Sequence, residues 1–247
     1  MQRVSLQPAY VLHHRPFRDT SRIVDLFTRE HGRIAVVARG VRAPKSRLRG
    51  VLQPFSALIV SFSTKGELGT LSGAEAAGGR GALGGDALLS AFYVNELLLR
   101  LMQKGDPHPE VYEEYEHTLN RLATELSPHE ALRVFEKRLL EALGYGLNLA
   151  HDIVTGEALV AEKHYEFRLE EGPTVTQSTA TGALVFPGGS LIALAEERLG
   201  DERSMRDAKV LLRSSLDLYL GARPLRTREV MLSLRSPEKG SWNREGN

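Results

Sequence analysis

The sequence predicts an α+β fold in which a small β-barrel precedes an α-helical domain. Three observations carry that prediction. Residues 8–75 hold five short β-rich runs, punctuated by Gly32, Gly40, Pro44, Gly50, Pro54 and Gly66. The stretch AAGGRGALGGD at 76–86 offers little to bury and reads as a hinge. Beyond it, apolar residues recur at helical spacing to about residue 235, with an irregular β insertion at 145–187. The expected domains are therefore 1–80 and 81–247.

The five runs are 9–14, 22–28, 33–39, 55–62 and 68–75. In the third, Ile34, Val36 and Ala38 share one face and Arg33, Val37 and Arg39 the other, which is strand periodicity. Five short strands with tight turns fit a small closed barrel, and the OB-fold is the common five-stranded form. Asp86 is placed to cap a helix running to about Lys104. Leu88, Leu89, Phe92, Tyr93, Val94, Leu97, Leu98, Leu101 and Met102 make that helix apolar nearly all round, so it belongs at the centre of the helical domain.

A second helix follows Pro109 and carries Glu110, Glu113, Glu114 and Glu116 near its positive N-terminal end. Ser127, Pro128 and Glu130 read as N-cap, first helical residue and capping-box partner of a third, which Gly144 stops. The irregular insertion offers weak strands at 165–169, 174–176 and 184–186. Helices return at 189–199, 204–220 and 225–235, with Ser204 and Asp207 marking one N-terminus. The polar stretch 236–247 reads as a frayed tail.

Composition narrows the function classes. The chain has 247 residues, 42% hydrophobic and 26% charged, which is ordinary for one large or two modest globular domains. Cysteine is absent, which excludes disulfides, thiolate zinc sites, iron–sulfur clusters and a cysteine nucleophile, and suits a reducing compartment. No apolar run is long enough to span a membrane, and MQRVSLQPAYVLHHRPF is no secretory signal. A cytoplasmic protein is expected.

The net charge of +1 hides a division. Residues 1–80 hold 13 Lys and Arg against 5 Asp and Glu, a net +8, so the remainder carries −7. The densest basic stretch is Arg39, Arg42, Lys45, Arg47 and Arg49, five cations in eleven residues with no acid among them. Arg15, Arg18, Arg22, Arg29 and Arg33 lie on the adjoining runs. Cations on the strands and loops of an OB-like barrel make a track for a phosphate backbone. The bland alternative is a solvated surface. Of the aromatic residues in the barrel, Phe17, between Arg15 and Arg18, is the one nominated for base stacking.

Other chemistry is weakly supported. The glycine-rich stretch lacks a P-loop ending, and no G-x-S-x-G occurs. His13 and His14, adjacent on a strand, point to opposite faces. His151, Asp152 and His164 could converge, but without thiolates such a trio is more often surface. The glutamates of 110–116 would suit a metal-dependent nuclease only by composition. That enzyme, and an assembly adaptor whose basic face binds acidic protein, stay open as alternatives.

Seven stretches together resemble the RecO family of bacterial recombination mediators. They are AYVLHHRPFRDTS (9–21), DLFTREHGRIAVVARGVR (25–42), KSRLRGVLQPF (45–55), GELGTLSGAEA (66–76), YVNELLLRL (93–101), FEKRLLEALGYGLNLAH (135–151) and YLGARPLRTRE (219–229). The resemblance implies an N-terminal OB-fold and a helical domain with an inserted zinc-ribbon-like segment. It implies binding to single- and double-stranded DNA, contacts with RecR and with the acidic tail of the single-stranded-DNA-binding protein, strand annealing and help in loading RecA, without nucleotide hydrolysis. Many members carry four cysteines in the insertion. Here Asp152 and Thr155 stand where a Cys-x-x-Cys pair would fall, so a ribbon without zinc is expected.

The residues expected to hold DNA are Arg15, Arg18, Arg22, Arg39, Arg42, Lys45, Arg47 and Arg49. The partner tail should need an apolar notch flanked by cations, with Arg133 and Arg223 as first candidates and Lys137, Arg213, Arg226 and Arg228 behind them. No cofactor or metal is expected, and the site of action is the cytoplasm, at the nucleoid.

Overall fold

Five strands close a barrel: β1 (Gln2–Phe17), β2 (Ser21–Thr28), β3 (Gly32–Ala38), β4 (Leu58–Thr64) and β5 (Leu68–Ala76), in the order β1-β2-β3-β5-β4. The computed structural model describes residues 2–79, 81–124, 128–177, 182–221 and 223–235. Closure depends on β1, which pairs with β4 through its N-terminal half and with β2 through its C-terminal half. Register shifts between Val4 and Gln7 and between Val11 and His13 bend it round the barrel. β3 and β5 run parallel and the other pairs antiparallel, which is the OB arrangement. Val11, Val24, Leu26, Val36, Val60 and Phe62 fill the interior.

The barrel differs from the sequence reading in three ways, one being that the fourth strand runs over 58–64 rather than 55–62. β1 is much longer than 9–14, because its ends pair with different neighbours and its alternation breaks at the bulges. A four-residue helix, α1 (Leu48–Val51), lies in the β3–β4 connection and was not expected. Val41, earlier in that connection, and Leu52, directly after the helix, are buried with the barrel core, and Leu48 and Val51 pack on it.

The helical part is arranged around α2 (Gly85–Leu101), which contacts β1, α3 (Pro109–Thr124), α4 (His129–Ala142), α6 (Glu202–Leu220) and α7 (Arg226–Arg235). A shorter α5 (Gly188–Ala195) packs on α6. The insertion forms a three-stranded sheet, β7-β6-β8, from β6 (His164–Arg168), β7 (Gly172–Val175) and β8 (Val185–Pro187).

Several helix ends differ from those the sequence predicts. Gly84, not Asp86, is the N-cap of α2, and Asp86 lies in the first turn, where its charge suits the dipole. Phe92 is 40% exposed and packs edge-on against Phe55 rather than into the helical core. Pro128 is the N-cap of α4, the Ser127 assignment lies outside the described residues, and Glu130 faces Arg121 at 3.7 Å. Asp201, not Ser204, caps α6, its carboxylate accepting from the Ser204 N–H at 2.9 Å. Asp207 instead accepts from the Ser190 hydroxyl at 2.6 Å. The stop at Gly144 holds: it adopts φ +81°, and the Tyr145 N–H donates back to the Leu140 carbonyl at 2.8 Å.

The barrel and helices share an apolar core. Tyr10, Leu12, Phe27 and Phe55 cluster with residues of the helical domain. Tyr10 meets Tyr115 edge-on at 5.0 Å and donates to Glu116 at 2.8 Å. Asn95, buried on α2, donates to the Leu12 carbonyl at 2.9 Å and accepts from the Tyr115 hydroxyl at 2.7 Å. Gly32, at φ +60°, lies so close to the chain at Asp106 that a Cβ there would fall 2.0 Å from the Asp106 carbonyl oxygen.

Candidate nucleic-acid interface

The basic residues collect where two connections meet. Arg15 near the end of β1, Arg18 in the turn and Arg22 at the start of β2 surround the first connection, and the connection from β3 to β4 carries Arg39, Arg42, Lys45, Arg47 and Arg49. The Arg42 N–H donates to the Thr20 carbonyl at 2.8 Å, and its guanidinium reaches the Arg18 carbonyl at 3.4 Å. Arg22 sits opposite Ala38 in the β2–β3 ladder, one residue before Arg39. Arg15, Arg18, Arg22, Arg39 and Arg42 are thereby held on one end of the barrel. The chain continues through tight turns, with Ala43 N–H to the Gly40 carbonyl at 3.1 Å and Ser46 N–H to the Ala43 carbonyl at 3.1 Å. These turns lead to Lys45, to Arg47 at the start of α1 and to Arg49 within it.

Seven of these eight side chains are exposed and Arg22 is half-buried. None forms an ion pair with an acidic side chain among the described residues. Arg18 takes the left-handed conformation at φ +51° and lies 5.3 Å over the half-buried ring of Phe17. One face of that ring thus carries a cation. His14 is pushed below its ordinary value by burial and by the charge of Arg22.

Two other barrel cations are differently used. Arg29 bonds to Glu113 on α3 at 2.6 Å, and Arg33 donates to the Leu99 carbonyl of α2. Burial holds the Arg33 guanidinium below its ordinary value. Both fasten barrel to helices, a division the sequence cannot show because the partners lie more than sixty residues away.

Two family models match the chain: Recombination protein O N terminal over residues 1–80, and Recombination protein O C terminal over residues 84–229. A DNA repair protein RecO from Alkalilimnicola ehrlichii is 49% identical over 234 residues, covering 94% of this chain and 92% of the relative. The chain belongs to the RecO family. Its similarity extends to the RecO of Nitrosococcus oceani, 43% identical over 94% of this chain and 95% of the relative. It extends also to that of Coxiella burnetii, 40% identical over 93% and 99%.

For a RecO chain, the cysteine-free insertion poses the question of metal. Asp152 answers it locally. One carboxylate oxygen accepts from the N–H groups of Val154 and Thr155 at 2.8 and 2.9 Å, and the other from Val175 N–H on β7 at 2.6 Å. Those hydrogen bonds hold its carboxyl below the usual range. Both oxygens are thus occupied, and no thiolate is present, so these residues do not fit zinc. Among the described residues no group of three or more His, Asp or Glu could hold a metal, including His151, Asp152 and His164 and the glutamates of α3. Glu113 and Glu116 are tied to Arg29 and Tyr10, Glu114 bonds Arg138, and Glu110 faces His108.

The tail candidates divide by burial. Arg133 is only 8% exposed and bonds to Glu136 at 2.6 Å. Glu136 also accepts from the Tyr93 hydroxyl at 2.7 Å, and burial raises its carboxyl above the usual range. Arg133 is therefore a structural cation here, and serving an incoming carboxylate would require this pair to open. Lys137 is likewise buried between Glu141 and Glu197, each at 3.0 Å. Arg213 and Arg228 share Asp217. The N–H groups of Arg226 and Thr227 cap onto Glu96 of α2 at 2.9 Å each. Arg223 is exposed, and its carbonyl accepts from Arg100 at 2.9 Å.

Proposed function

We propose that this RecO-family chain binds single- and double-stranded DNA through Arg15, Arg18, Arg22, Arg39, Arg42, Lys45, Arg47 and Arg49, and anneals complementary strands without catalysing any bond-making. Family membership carries the coarser statement, a role in DNA repair and recombination. The finer reading rests chiefly on one observation. The two basic connections are clasped together by Arg42 and Thr20, and the cations they carry are not neutralised by any described carboxylate.

The physical argument is simple. Annealing brings two polyanions together against mutual repulsion. A cationic surface that takes phosphates and leaves base edges free lowers this barrier. Phe17 is the ring on which one unstacked base would stack, in the place that Arg18 takes in the free chain. The partner contacts belong to the same reading: RecR, and the acidic tail of the single-stranded-DNA-binding protein near Arg223, leading to RecA loading in the cytoplasm at the nucleoid. No helix among the described residues is long and apolar enough to cross a membrane.

The test is a salt titration of binding and annealing. With about six phosphates engaged, log affinity for single strands falls with log salt at a slope of roughly −4. Replacing Arg39, Arg42, Lys45, Arg47 and Arg49 together by Ala flattens that slope toward about −1 and abolishes annealing, with the thermal transition retained. An unchanged slope removes this segment from the site. Annealing that persists in EDTA without strand cleavage separates this reading from a nuclease.

A further inference from the structure

On the helical domain, away from the basic segment in sequence, a cavity of about 310 Å³ opens between the end of α4, the β6–β7 turn and the last turns of α6. Its wall includes Tyr145 and Tyr219, whose rings stack at 3.9 Å with 19° between planes. Tyr145 is 43% and Leu218 46% exposed, so apolar surface at the cavity stands open to solvent. Glu170 and Glu171 complete it from the turn.

The carboxylates are underused. Tyr219 donates to Glu170 across a long 3.4 Å, and Glu171 lies 3.8 Å from Arg168. Glu170 is held at φ +67°, a conformation that a non-glycine residue adopts at a cost. The strain places a charged group at an aromatic wall. Residues 145–177 as a whole hold six Asp and Glu against two Lys and Arg. The C-terminal end of α6 adds the negative pole of a helix dipole.

We infer that this cavity receives an arginine side chain, flanked by apolar residues, from a protein partner. A planar guanidinium fits a site with a tyrosine face for stacking and a carboxylate for paired hydrogen bonds. Leu147 and Leu218 supply contacts for the flanking residues. Phosphate is repelled by the same two glutamates, so the cavity is a protein-docking site separate from the DNA track, and it stands whether or not that track is correctly placed.

The test uses the full-length chain with Nα-acetyl-arginine amide as probe and Nα-acetyl-citrulline amide, similar in shape but uncharged, as control. The ring-proton resonances of Tyr145 and Tyr219 are followed by NMR at low salt. Saturable shifts in the millimolar range are expected for the arginine probe, with citrulline at least about tenfold weaker. Glu170→Gln should weaken the arginine probe about tenfold. Glu170→Gly should do the same while keeping or raising the melting temperature, because glycine takes φ +67° without strain. This second variant separates lost binding from lost folding. Equal response to citrulline, no response to either probe, or unchanged affinity in both Glu170 variants overturns the inference. So does a short oligothymidylate that shifts these rings and excludes the arginine probe, which would assign the cavity to nucleic acid.

Discussion

The backbone N–H of Arg42 donates to the carbonyl of Thr20 at 2.8 Å, tying the β1–β2 turn to the β3–β4 connection more than twenty residues further along the chain. Each connection alone would present three to five cations on a turn. Clasped, they gather Arg15, Arg18, Arg22, Arg39 and Arg42 at one barrel end, a row that Lys45, Arg47 and Arg49 follow in sequence.

A comparison of two arginines tests the row. Arg42→Ala should reduce the salt slope of single-strand binding by about 0.7, the loss of one phosphate contact. Arg29→Ala should leave the slope unchanged, because Arg29 is committed to Glu113. A slope that drops equally in both would mean that the barrel's charge acts as a diffuse whole.

Gly32→Ala should be costly. Its Cβ would meet the Asp106 carbonyl oxygen at 2.0 Å, and the φ of +60° is itself unfavourable for alanine. About 2–4 kcal/mol of destabilisation is expected in urea unfolding. Proteolysis within 77–84 should quicken as the barrel loosens from α3. Ala at Gly66, with open space around it but a similar φ, should cost only the backbone share.

The pair Arg133–Glu136 is a buried ion pair whose loss is asymmetric. Arg133→Ala strands Glu136, which is 1% exposed, and should cost about 3–5 kcal/mol. Arg133→Met with Glu136→Leu removes both charges and should recover most of that loss. If Arg133→Ala is benign in stability yet weakens the partner tail, the arginine serves the surface after all.

Asp152 should make the insertion acid-sensitive and metal-independent. Its folded pKa lies below the ordinary carboxylate value because of the N–H groups of Thr155, Val175 and Val154. The stability it contributes is therefore present above about pH 4, the unfolded value, and is lost as pH falls through the folded value. Asp152→Asn should lower the melting temperature at pH 7 and flatten the acid limb, whereas EDTA should change neither protein. A chelator-induced drop would show that metal is bound elsewhere.

His108 gives the opposite sign. Burial opposes its charge, but the hydrogen bonds its ring donates to Glu110 and Asp106, both at 3.1 Å, outweigh burial and raise its pKa. Its contribution is complete below the unfolded value of about 6.5 and fades as pH rises through the folded one. Between pH 6 and 8 the melting temperature should fall in the native chain and change less in His108→Gln.

The barrel and helices were legible because their periods are strong. Ile34, Val36 and Ala38 alternate cleanly, and Leu132, Phe135 and Leu139 repeat every three to four residues. The basic segment was visible as composition. Its geometry was not, since the Arg42–Thr20 bond leaves no local signal. Arg29 and Arg33 looked like members of the row because their partners Glu113 and Leu99 are distant in sequence. Arg133 looked like a surface cation because an i,i+3 pair reads the same on an open or a buried helix face. The N-cap of α6 is ambiguous in the sequence because Asp201 and Ser204 both suit a cap, and only the direction of the hydrogen bond decides between them.

The common core has a practical corollary for anyone dissecting the molecule. A fragment ending near residue 80 would strip Tyr10, Leu12, Phe27 and Phe55 of their cover and turn greasy rings outward. Such a fragment would clump, or adhere to plastic, resin and oligonucleotide alike, and mimic affinity it does not possess. Assigning roles to the two halves is therefore a job for point substitutions in the intact polypeptide rather than for scissors.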